Sequence, residues 1–162
     1  MSAENYYDPT FKLTSPAFLT ETTIPTEYTD DGAGLSPPLI WEFVPAGVKS
    51  FALIVYDPDA PRGDFTHWLV YDLPGNITSL SAGADITALG GLLGVNSKGA
   101  NTWTPPAPPP GDRPHRYLFQ IHALDRPTIT LPPGATRDQV EEAVSAYTLT
   151  IAAMLGYYGR PA

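Results

Sequence analysis

Nineteen prolines and fourteen glycines punctuate a chain of 162 residues, and they leave few stretches long enough for a helix. Proline removes a backbone donor and fixes φ, while glycine supplies the conformations that turns require. Between these punctuation marks lie short apolar or β-branched runs: Phe11 to Leu13 and Ala17 to Leu19 around Ser15-Pro16, Leu39 to Phe43, Phe51 to Tyr56, Thr66 to Asp72, Arg116 to Leu124 and Thr128 to Leu131. Strands at this spacing, separated by Gly/Pro turns, predict a mainly β fold, a sandwich or barrel-like pair of sheets. The length suits one domain, residues 1–162, with a core of its own.

One helix is expected, at the C-terminal end. Thr136 and Gln139 have capping-box spacing. Val140, Val144, Tyr147, Ile151, Met154, Leu155 and Tyr158 follow at helical intervals, with Gly156 as a stop. This stripe reads as core or interface rather than as a cofactor site. Two segments lack strand or helix periodicity, the Gly/Ala/Ser-rich Thr78 to Thr104 and the proline-rich Pro105 to Pro114. The second reads as a stiff pocket wall because it runs directly into His115; the alternative is a polyproline ligand for a partner.

A net charge of -8, with nine basic residues scattered singly, argues against nucleic acid and against anionic membrane surfaces. The absence of cysteine removes disulfides, thiolate nucleophiles and zinc knuckles together, and suits a reducing cytoplasm. Met1 to Thr10 is polar and aromatic rather than signal-like, and no apolar run approaches the ~20 residues of a membrane helix. A cytoplasmic protein is expected. The nucleophile elbow, the phosphate-cradling lysine loop and the dinucleotide glycine fingerprint are all missing.

Polar chemistry concentrates in two places about fifty residues apart, Asp57-Pro58-Asp59-Ala60-Pro61 with His67 following, and His115-Arg116-Tyr117. Strand alternation puts His115 and Tyr117 on one face and Arg116 on the other. His122 shares Arg116's parity, which argues against a three-histidine metal site. His67 and His115 are candidates to donate to an anion, with a carboxylate nearby to favour their charged form. Asp57 and Asp59 admit three readings: turn structure, orientation of a histidine or contact with ligand, and an acid/base pair or hydrolytic metal site. No nucleophile or metal-ligand array accompanies the third.

In order and spacing the chain resembles the phosphatidylethanolamine-binding protein family, in its bacterial and archaeal Raf-kinase-inhibitor-like branch. The resemblance runs through Ser15-Pro16-Ala17-Phe18, Tyr28 to Gly32, Ser36 to Trp41, Asp57 to Pro61, His67-Trp68, Gly94-x-Asn96-x-x-Gly99, Pro108-Pro109-x-Gly111, His115-Arg116-Tyr117 and Gly156-x-Tyr158-x-Arg160. It implies a large antiparallel sheet packed on a smaller one, Greek-key-like, with C-terminal helix. It implies a pocket for a small anion or phospholipid head-group phosphate, lined by Asp57, His67, His115 and Tyr117, with Pro108 and Pro109 in its wall. Asp59 and Arg116 would form a structural carboxylate–guanidinium pair behind it. On this reading the protein is a regulator or carrier rather than an enzyme, monomer or homodimer, without metal or cofactor. A kinase or protease is the alternative partner, and a hydrolase the remotest reading. The chain departs from the family at Trp103-Thr104-Pro105-Pro106, where proline replaces glycine and stiffens or reroutes the rim. Tyr157 or Tyr158 is a candidate to close the pocket.

Overall fold

The structure is a computed structural model that describes residues 10–162, so the expectations for residues 1–9 lie outside it. Its strands and α-helix in chain order are β1 (Lys12–Thr14), β2 (Thr22–Thr23), β3 (Leu39–Glu42), β4 (Ser50–Asp57), β5 (Phe65–Pro74), β6 (Ser79–Leu80), β7 (Leu92–Leu93), β8 (His115–Leu124), α1 (Arg137–Ser145) and β9 (Thr148–Tyr158), with one 3-10 turn at Thr26–Tyr28. Six strands form the large sheet in the order β2-β9-β8-β4-β5-β7, and β1-β3-β6 form a small one. All pairings are antiparallel except the edge pair of β2 with β9.

The large sheet is buried on both faces, which is why β4 and β5 read as continuous apolar runs. On one face Phe51, Leu53, Val55, Tyr117, Phe119 and Ile121 pack against the small sheet. Phe11 stacks on Phe51, and Trp41 meets that ring edge-on at 5.5 Å. On the other face Ala52, Ile54, Leu69 and Tyr71 pack against Val140 and Val144 of α1. The Thr136–Gln139 capping box starts that helix.

The helix is shorter than its sequence stripe. It stops at Ser145, and residues Thr148–Tyr158 form β9 instead. Thr148, Thr150, Ala152, Met154 and Gly156 are buried in alternation, a strand period that an apolar-all-round run also contains. Pairing along the whole of β8 selects it. Gly156 is therefore no helix stop: a Cβ there would come within 2.5 Å of Ile24, so it lets β2 approach β9. Two further expected strands are absent. Ala17 donates its N–H to the Ser15 hydroxyl in a local turn. Thr128 and Ile129 donate to the Asp72 carboxylate, and Thr130 takes a positive φ, so that segment leaves no ladder to join. The glycine-rich segment, conversely, contributes the short β6 and β7.

Candidate functional site

β4 ends in Asp57, and the prolines on either side of Asp59 make the following turn rigid. Asp57 splits its carboxylate between two tasks. Oδ1 accepts the Asp59 N–H at 2.7 Å and holds the turn, while Oδ2 accepts from His115 Nδ1 at 2.6 Å across the β4–β8 pair. Asp59 faces the exposed side. Its Oδ2 accepts from the Arg116 backbone N–H and Nε, and its Oδ1 accepts from Nη2 at 2.9 Å. The guanidinium fork holds the Asp59 pKa down at about 2.

Strict alternation would place His67 with Leu69 and Tyr71, facing α1. The β4–β5 register slips here, with Val55 opposite Trp68 and Tyr56 opposite Thr66, which leaves His67 as an extra residue. Such a bulge re-aims a side chain. His67 consequently sits with Tyr117, their rings 5.3 Å apart, and with Phe65 and Trp103. Its Nδ1 lies 2.6 Å from the Thr104 carbonyl, and the Thr104 N–H returns a bond to the His67 carbonyl. A carbonyl only accepts, so Nδ1 carries the proton.

The Trp103-Thr104-Pro105-Pro106 rim is thus routed as an extra strand-like partner of His67. Buried Asn96 holds it there. Its amide donates to the Thr102 carbonyl and the Thr104 hydroxyl, and its Oδ1 accepts from the N–H groups of Lys98 and Ala100.

These elements enclose a cavity of about 310 Å³. Asp57, His67, Pro108, Pro109, His115 and Tyr117 all line it, together with Phe65, Lys98 and Thr104; Asp59, Arg116, Tyr157 and Tyr158 do not. Tyr158 instead donates its hydroxyl to Asp31. His122 lies on the opposite face, buried under α1 with both ring nitrogens unpartnered, and burial pushes its pKa down to about 4. Among the described residues no group of three or more His, Cys, Asp or Glu side chains is placed to hold a metal ion.

The two cavity histidines are electrostatically unlike. Burial lowers the His67 pKa, only partly offset by the Thr104 carbonyl and Asp57. At His115 burial also opposes charge, but hydrogen bonds to Asp57 and Asp112 outweigh it and raise the pKa. Burial likewise pushes the Tyr117 phenol up, so it remains a neutral donor.

Two further side chains support the site without lining the cavity. Asp112 places Oδ2 3.0 Å from His115 Nε2. Arg160 binds Asp30 and Asp31 and donates to the Pro108 carbonyl, while its own carbonyl accepts the Gly111 N–H. It ties the C-terminal end to the proline wall. A carboxylate three residues before a histidine would have been a hint; the Arg160 link joins segments some fifty residues apart.

A family profile described as phosphatidylethanolamine-binding protein matches residues 14–159. A UPF0098 protein of Aquifex aeolicus is 42% identical over 148 residues, covering 90% of this chain and 86% of its own length. The crystal structure of a putative phosphatidylethanolamine-binding protein homologue from Chlamydia trachomatis superposes with a TM-score of 0.87 at 37% identity, covering 94% of this chain and 99% of that one. Escherichia coli YbcL, described as a member of the mammalian PEBP family, gives 0.86 at 31% identity, with 93% and 98% covered.

Proposed function

This chain belongs to the phosphatidylethanolamine-binding protein family, and from that premise we propose that its cavity binds a small phosphate-bearing or other anionic ligand, in a carrier or regulator rather than an enzyme. The observation that carries the reading is His115. It is buried in the cavity wall, with Asp57 2.6 Å from Nδ1 and Asp112 3.0 Å from Nε2, two carboxylates whose hydrogen bonds raise its pKa. A fixed imidazole whose charged form is favoured, in a largely apolar and proline-walled cavity, is a preorganised partner for one negative charge. Lys98 and the Tyr117 phenol add donors at the same cavity. The net charge of -8 gives no long-range attraction for anions, so recognition rests on these local groups.

Binding rather than turnover is favoured by the lining itself, which contains neither serine nor cysteine. Its one threonine, Thr104, has its hydroxyl engaged by Asn96. Titration of inorganic phosphate and phosphoethanolamine between pH 5.5 and 8, followed by the histidine NMR signals, tests the proposal. The His67 and His115 signals are expected to shift together with one saturation curve while His122 stays in place. Unchanged His67 and His115 signals at high ligand overturn it.

A further inference from the structure

His115 Nε2 is the ring nitrogen left for a ligand once Nδ1 is bonded to Asp57, yet the Asp112 carboxylate already lies 3.0 Å from it. Asp112 is not loosely placed: its backbone N–H bonds to the Pro109 carbonyl, and the adjacent Gly111 is bonded to Arg160. Asp112 itself does not line the cavity; it covers His115 from the rim, with its side chain 42% exposed. His67 presents the opposite polarity. With its proton on Nδ1, given to the Thr104 carbonyl, its other nitrogen carries a lone pair. The groups facing that ring are Asp57, His115, Tyr117, Phe65 and Trp103. Burial among them favours the neutral ring.

We propose that the pocket is specific for an oxyanion that carries a proton, a hydrogen phosphate or phosphomonoester monoanion, whose P–OH donates to His67 Nε2 and whose P–O⁻ takes the place of Asp112 at His115 Nε2. This rests on the anion-pocket reading above and goes beyond it by assigning the ligand's protonation state and a tethered competitor. An oxyanion without a proton meets a lone pair at His67, and the two acceptors repel. A ligand oxygen that takes a full bond from His115 Nε2 must also displace Asp112, because sharing one N–H between two anionic oxygens weakens both bonds and sets like charges side by side. The tether gives Asp112 a high effective concentration, so weak anions are excluded first.

The test uses two probes of like shape on the intact protein, methylphosphonate and methanesulfonate. At pH 6.5 each carries one negative charge, and they differ by the phosphonate proton. Binding is followed by the ring-proton signals of His67 and His115. Methylphosphonate is expected to bind at least about tenfold tighter, the worth of one buried hydrogen bond made rather than opposed. D112A is expected to tighten both probes by about tenfold with that ratio retained, and D112S serves as a second variant. Equal affinities of the two probes for the natural chain overturn the inference. So do D112A and D112S affinities that match the natural chain's. If in either case binding is still lost in H115A, the anion-pocket reading stands while the inference falls. Absence of binding by both probes in every protein overturns the two together.

Discussion

His115 Nδ1 and Asp57 Oδ2 are 2.6 Å apart, and both side chains are only 4% exposed. They lie 58 residues apart in sequence, joined by the end of β4 meeting the start of β8. A buried carboxylate fixes the ring's orientation and favours its charged form, much as an orienting carboxylate does for a catalytic histidine.

Asp57→Asn removes the charge and keeps the shape. The His115 pKa, now held above its ordinary 6.5, is expected to fall, and phosphate affinity near pH 7 to drop by about tenfold or more. The sign for stability follows from the raised pKa. The pair's contribution is full below about pH 6.5 and is lost as pH rises through the folded-state pKa, so the natural chain's advantage over Asp57→Asn should shrink in alkali. Histidine NMR titration and urea unfolding at several pH values check both parts.

His122 predicts the opposite behaviour in acid. Its folded-state pKa is about 4 against an ordinary 6.5, so the unfolded chain binds a proton that the fold does not. That costs up to about 1.4 kcal/mol per pH unit, roughly 3 kcal/mol in all, as pH falls from 6.5 to 4. His122→Leu also removes two unpartnered buried nitrogens. The variant is expected to gain on the natural chain progressively below pH 6.5, measured by denaturant midpoints; a constant difference across that range defeats the prediction.

Asn96→Ala strips the Thr102–Thr104 segment of two donors and leaves the Lys98 and Ala100 N–H groups without their acceptor. A loss of about 3 kcal/mol is expected from these partly buried groups. Because Thr104 holds His67, the His67 ring signal should shift or broaden in the same variant.

Arg160→Gln releases Asp30, Asp31 and the Pro108 carbonyl. Stability should change little, since the ion pairs are partly exposed and screened by solvent. Hydrogen exchange at Gly111 and Asp112 should quicken, because the wall that presents Asp112 has lost its anchor.

Much of this protein was legible in its residues. Proline and glycine spacing excludes long helices, apolar runs mark β4 and β5 as doubly covered strands, and alternation alone separates His115 and Tyr117 from Arg116 and His122. Those are local properties, governed by φ restriction and by the period of two along a strand. Three features needed the tertiary structure. Residues 148–158 satisfy both helix and strand periods, and only pairing with β8 decides between them. The bulge that turns His67 into the cavity arises from a slip between two strands, so no single strand's pattern contains it. Asp112 on His115 and Arg160 on Pro108 depend on where loops come to rest, a matter of long-range packing that local spacing does not encode.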